Sequence, residues 1–238
     1  MTALAPEASA ATAEARGTRP RGLFVTGTGT GVGKTVVSAL LMARQGITSP
    51  VRYWKPVQTG TRDDDDTAMV AALSGCGAAR VEDDGVRLPL PLSPHEAARL
   101  AGTAIDVPAL VGQWRTRAAQ GPWVVEGAGG VLVPLDDETL MVDVIRACAL
   151  PALVVGHSGL GTINHTLLTL EALRARAVPV AAVVLVGEAH SSNAEAIGRI
   201  GGVSVVVTCP ALERVTPATV QATAQQLIGW EAVDAWLQ

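Results

Sequence analysis

Six short runs dominated by apolar residues recur along the chain, none with the polar alternation of a half-exposed strand. They are Leu23-Phe24-Val25-Thr26, Val51-Arg52-Tyr53-Trp54, Trp123-Val124-Val125, Ala152-Leu153-Val154-Val155, Ala181-Ala182-Val183-Val184-Leu185-Val186 and Val203-Ser204-Val205-Val206-Val207. Strands of this kind are covered on both faces. Helical patterns lie between them. Ile163, Leu167, Leu170 and Leu173 form a stripe after Gly161, and Ser93-Pro94-His95-Glu96 has the spacing of a cap, a first-turn proline and a capping-box glutamate. Strand and helix in alternation predict an α/β fold, a mostly parallel sheet flanked by helices and joined by right-handed crossovers. Hydrophobic residues make up 48% of the sequence and aromatics only 3%, which suits aliphatic helices on buried strands better than a β-sandwich. No repeat or Gly/Ser linker divides it, so one domain is expected over residues 22–238. Residues 1–21, rich in alanine and poor in large apolar groups, are expected to be a disordered tail.

The first run leads into Gly27-Thr28-Gly29-Thr30-Gly31-Val32-Gly33-Lys34-Thr35, and a helical pattern with Val36, Val37, Leu40 and Leu41 follows. Strand, glycine-rich loop, Lys-Thr and helix make a phosphate-binding loop of the P-loop NTPase type. Glycines let backbone N–H groups converge on phosphate oxygens, and the positive end of the helix dipole adds to them. Lys34 brings a point charge to the terminal phosphates, and the Thr35 hydroxyl is placed to ligate Mg²⁺. The spacing departs from the usual one: five residues, not four, separate Gly27 from Gly33.

Magnesium in such loops takes a hydroxyl, one or two carboxylates, phosphate oxygens and water. Glu126 ends a buried run and precedes Gly127-Ala128-Gly129-Gly130, which aims it into the crevice where α/β sheets hold ligands. Asp63-Asp64-Asp65-Asp66 is a second source, although four acids in a row are ordinarily a solvated loop and the sequence does not choose among them. Lys55 closes the second run in Lys55-Pro56-Val57-Gln58-Thr59-Gly60, near the phosphates if the two strands adjoin.

Other features exclude function classes. A net charge of −4 with scattered basic residues offers no face for nucleic acid. No unbroken apolar stretch spans a membrane, and the N-terminus lacks the apolar run of a signal peptide. Cys76, Cys148 and Cys209 are an odd number without metal-ligand spacing, so reduced thiols and a cytoplasmic setting are expected. The four histidines form no ligand cluster, and Trp114, Trp230 and Trp236 fit packing better than base stacking.

Five segments in this order resemble the dethiobiotin synthases: Phe24-Val25-Thr26-Gly27-Thr28 through Gly33-Lys34-Thr35, Lys55 to Gly60, Ser93-Pro94-His95, Val125 to Gly130, and Leu160-Gly161-Thr162-Ile163-Asn164-His165. The five-residue loop spacing is that family's own. The resemblance implies a cytoplasmic homodimeric ligase of biotin biosynthesis. Its diamine, 7,8-diaminopelargonic acid, takes up CO₂ as a carbamate, which is phosphorylated from ATP with Mg²⁺ and closed by the second amine. It implies catalytic Lys34 and Lys55, metal ligands Thr35, Asp66 and Glu126, and diamine and carbamate contacts from Thr30 and Thr59. Gly161, Thr162, Ile163 and Asn164 would open a helix and reach the substrate of the neighbouring subunit. Nucleotide contacts would come from Gly31, Val32, Gly33, Lys34, Thr35, Val36, Glu126, Gly127, Ala128, Gly129, Val186, Gly187, Pro210 and Ala211. Some members read adenine with Asn-Asp where this chain has the stretch Leu185-Val186-Gly187-Glu188, so relaxed nucleotide choice is expected, with other triphosphates accepted beside ATP.

Two rivals share the loop. A partitioning-type regulatory ATPase would carry an extra lysine early in it, where this chain has only Thr, Gly and Val. A related amide- or ring-forming ligase would act on another amine. A GTPase switch would need an Asn-Lys-x-Asp motif, which the sequence lacks.

Overall fold

A computed structural model describes residues 20–238. The expected disordered tail therefore lies, but for its last two residues, outside the described residues. In chain order the elements are β1 (Arg21–Gly27), α1 (Lys34–Arg44), β2 (Arg52–Trp54), β3 (Val57–Thr59), α2 (Asp66–Ser74), β4 (Val81–Glu82), β5 (Val86–Leu88), α3 (Pro94–Leu100) and α4 (Val107–Arg117). There follow β6 (Pro122–Gly130), α5 (Met141–Cys148), β7 (Ala152–His157), α6 (Thr162–Arg174), β8 (Val180–Val186), α7 (Ser191–Gly201), β9 (Val206–Cys209), α8 (Pro217–Gln226) and α9 (Glu231–Asp234).

Seven strands form one parallel sheet in the order β4-β2-β6-β1-β7-β8-β9, and β3 pairs with β5 in a small parallel sheet of their own. Alternate residues of each strand feed two cores. Phe24, Trp54, Val125, Val154 and Leu185 face α4, α5 and α6, whereas Val25, Tyr53, Val124, Val155 and Val184 face α1, α2 and α8. Both faces are thus covered, as the unalternating runs require.

The first core contains an aromatic group. Trp114 stacks on Trp54 at 6.2 Å and meets Trp123 edge-on at 5.9 Å, and its indole N–H donates to the Cys148 carbonyl at 2.9 Å. The three cysteines are free and buried. No helix among the described residues is long and apolar enough to cross a membrane.

The structure corrects three details of the reading. The last core strand starts at Val206, because Val203 is drawn into the end of α7, its N–H bonding to the Gly198 carbonyl past the left-handed Gly202. Ser93 and Pro94 do open α3, but Ser93 makes no side-chain cap bond. Glu96 instead grips Arg99 through bonds of 2.6 and 2.7 Å, so the expected capping box does not form.

Candidate active site

The phosphate loop links β1 to α1 at the carboxyl end of the sheet, where parallel strands leave a crevice for ligands. Gly33 caps α1 with φ +99°, a left-handed conformation that L side chains rarely adopt. Gly27 is equally confined: an added Cβ would stand 2.8 Å from the Val32 side chain and 3.0 Å from the Gly29 carbonyl. Helix α1 itself begins one residue later than Gly33, at Lys34.

Strand pairing assembles the charged residues. Tyr53 and Trp54 of β2 lie opposite Val124 and Val125 of β6, so the next residues along the two strands, Lys55 and Glu126, emerge side by side. Tyr53 and Val124 face α1, and a period of two turns Lys55 and Glu126 the same way. There they meet the first turns of α1 and α2. Lys55 Nζ lies 2.5 Å from Glu126 Oε1 and 2.7 Å from Asp66 Oδ2. Thr35 Oγ1 lies 2.7 Å from Asp66 Oδ1 and 3.0 Å from Glu126 Oε1. On the far side of the Glu126 carboxylate, Ser38 Oγ donates to Oε2 at 2.7 Å and Tyr53 OH at 3.1 Å. Glu126 is fully buried and every contact it makes is a donor, which is how a charge survives without water.

Asp65 explains why Asp66 is the carboxylate that faces inward. The Asp65 side chain accepts the Ala68 N–H as the cap of α2 and pairs with Arg87 at 2.5 Å, so it is spent on the helix end. Asp66, the first helical residue, turns to Thr35 and Lys55. Asp63 and Asp64 line the cleft without joining this cluster.

Electrostatics separate the two lysines, which are the only lysines in the sequence. Burial, then the neighbouring Lys55 charge, depresses Lys34 to about 8, against a smaller opposing pull from Glu126 and Asp66. Its ammonium bonds to the Gly29 carbonyl at 2.7 Å. Lys55 goes the other way: burial alone would lower it, but Glu126 and Asp66 together raise it above the ordinary lysine value. Burial and the Glu126 charge push the Tyr53 phenol well up, so it stays a donor.

These groups open into a cleft of about 810 Å³ that Lys34, Thr35, Val36, Lys55, Asp66 and Glu126 share with Thr30, Gly31, Gly33, Thr59, Ala128 and Gly129. Val32 is buried behind the loop and Gly127 packs on Phe24 and Met141. Val186 lies against Gly33, and the Gly187 N–H bonds to the Cys209 carbonyl at 2.9 Å, which puts Pro210 and Ala211 beside the same strand ends. Gly161, Thr162, Ile163 and Asn164 do open α6, yet they do not line the cleft. Ser38 and Tyr53 were not foreseen. Ser38 belongs to α1 and Tyr53 faces it from β2, a signal that becomes usable only once α1 and β2 are both known to lie against β6.

Among the described residues no three His, Cys, Asp or Glu side chains converge as a metal cage. The donors on hand are a hydroxyl and two carboxylates, all hard oxygens. That set fits Mg²⁺ completed by phosphate oxygens and water, and fits poorly the soft or imidazole-seeking metals.

A parallel sheet with a glycine loop, Lys-Thr at a helix start and a carboxylate at the next strand end defines a P-loop nucleotide-binding protein. A family model described as an AAA domain matches residues 21–219. Among solved structures, a ParA family ATPase from Chlorobium tepidum TLS superposes with a TM-score of 0.52 over 91% of this chain and 92% of that one; at 13% identity the likeness concerns the fold alone. The sequence relatives are nearer. An ATP-dependent dethiobiotin synthetase from Paramagnetospirillum magneticum is 50% identical, with 84% of this chain and 93% of that protein covered. Its counterpart from Agrobacterium fabrum is 43% identical, with 84% and 92% covered. The chain belongs to the dethiobiotin synthetase family.

Proposed function

We propose that the chain is an ATP-dependent dethiobiotin synthetase acting in biotin biosynthesis, in which CO₂ and 7,8-diaminopelargonic acid are joined and closed into a ureido ring. What carries the reading is the meeting of Lys34, Thr35, Lys55, Asp66 and Glu126 in one cleft, in a chain half identical to a dethiobiotin synthetase. Phosphoryl transfer to a carbamate needs positive charge over the transferring group and little else from the protein. Lys34 and Lys55 supply that charge. Thr35, Asp66 and Glu126 would hold Mg²⁺, which when bound offsets the charge of the phosphate oxygens. Backbone N–H groups of Gly31 to Val36 orient the triphosphate, with Glu126 to Gly129, Val186, Gly187, Pro210 and Ala211 as further nucleotide contacts. Thr30 and Thr59 hold the diamine and its carbamate.

The free N–H groups at the start of α6, at Gly161 to Asn164, suit the carboxylate of the diamine. They lie outside this chain's own cleft, and Leu160 beside them is fully exposed. Both points favour a homodimer in which each subunit completes its partner's site. The setting is cytoplasmic.

Purified chain with Mg²⁺, ATP, bicarbonate and the diamine should release phosphate in step with dethiobiotin, followed by mass spectrometry. Phosphate release that ignores the diamine would sink the assignment and favour a regulatory ATPase.

A further inference from the structure

Three oxygen-bearing side chains and one ammonium crowd the same point. Lys55 Nζ touches Glu126 Oε1, the oxygen that Thr35 Oγ1 also touches, and it touches Asp66 on the oxygen opposite the one facing Thr35. These are the donors assigned above to Mg²⁺, and this step rests on that assignment. The Lys55 side chain is only 3% exposed, so no solvent competes for its contacts. Lys34 touches neither carboxylate, because its ammonium is bonded to the Gly29 carbonyl, and it acts on them only from a distance. The pair of carboxylates therefore carries two negative charges against one ammonium in contact.

A divalent cation seated among Thr35, Asp66 and Glu126 would draw on carboxylate oxygens that Lys55 already holds. Two cations cannot both sit within bonding distance of one buried oxygen without strong mutual repulsion. We propose that Lys55 and the divalent cation are alternative partners of the Asp66–Glu126 pair, and that arrival of the cation drives the Lys55 ammonium off the pair and into the cleft. Lys55 would thus be a charged placeholder: it keeps two buried carboxylates compensated, then becomes available to the transferring phosphoryl group once the metal takes over. The cleft has room for the movement, because Lys55 lines it together with Thr30 and Thr59.

The sequence makes the test clean. With only Lys34 and Lys55 present, a chain grown on ε-¹³C-lysine gives two side-chain signals, assigned by Lys34→Arg and Lys55→Arg. The full chain is mixed with a non-hydrolysable ATP analogue, first in EDTA and then with MgCl₂. The Lys55 signal should move on magnesium addition and not on analogue alone. A Lys55 signal that is already displaced in EDTA, or unmoved by magnesium, overturns the proposal. A second measurement uses Mn²⁺ alone, read by electron paramagnetic resonance without nucleotide. Lys55→Met should bind Mn²⁺ at least about tenfold more tightly than the wild type, because no resident cation must leave; equal or weaker binding overturns the idea. If that variant does not fold, the two-signal experiment decides by itself. None of these readouts depends on turnover, so wild-type chain that makes no dethiobiotin would refute the functional assignment separately.

Discussion

Replacing Glu126 by Gln isolates the one charge on which the site is built. The carboxylate is fully buried and receives Lys55 on Oε1 and Ser38 and Tyr53 on Oε2, while the single Thr35 proton is contested between Oε1 and Asp66. An amide can keep its oxygen toward Lys55 and turn its NH₂ toward Ser38 and Tyr53, whose hydroxyls can then accept instead of donate. Most of the cost is therefore the lost charge, which leaves the buried Lys55 ammonium with Asp66 alone. Breaking a buried ion pair by removing one partner costs about 3–5 kcal/mol, and the surviving Asp66 contact argues for the lower end, about 3 kcal/mol. For a chain of this size that corresponds to a fall in Tm of roughly 6–12 °C. The assay is a calorimetric melt of wild type and Glu126→Gln side by side in EDTA, so that metal binding contributes nothing. A difference smaller than about 2 °C would mean that the charge is not paired as described, and the account of the site would fail with it.

Three further outcomes follow, two from Lys34 and one from the strand ends. Lys34→Ala should stay folded but lose phosphoryl transfer. Because burial sets Lys34 near 8 while bound phosphate favours its charged form, wild-type nucleotide Kd in EDTA should be flat below about pH 8 and weaken about tenfold per unit above it, with no such dependence in the variant. Nucleotide selectivity should be slack: Kd values for ATP, CTP, GTP and UTP should fall within a hundredfold of one another, since a lost base hydrogen bond is worth only about 0.5–1.5 kcal/mol. A hundredfold preference for ATP over all the others would contradict this.

The frame of this site was legible in the sequence. Unalternating runs announced buried strands, and strand, glycines, Lys34 and Thr35 in succession could hardly have another use. Glu126 was found by its place at a strand end before glycines. The sequence could not choose among Asp63 to Asp66, because the choice depends on which acid is spent as a helix cap, and Asp65 is held there partly by Arg87 from a strand far along the chain. Ser38 and Tyr53 were hidden for a similar reason: neither is unusual in its own segment, and they matter only because α1 packs over β6 and β2 lies against it. The short strands β3, β4 and β5 escaped because two or three residues carry too little periodicity to be read. Family resemblance singled out Asp66, which does meet Thr35 and Lys55, whereas the substrate contact it implies at Gly161 lies outside the chain's own cleft.

That the sequence has only two lysine side chains, both buried in the site, shapes how the protein meets the chemistry of the cell and the bench. Among the described residues the exposed side chains that stay cationic are all guanidiniums. Acetyl donors, aldehydes and activated-ester resins react with amines, and the only side-chain amines in the sequence are the two in this cleft. Any lysine acylation detected in this sequence would report on the cleft that holds Lys34 and Lys55, and nucleotide bound there should shield it.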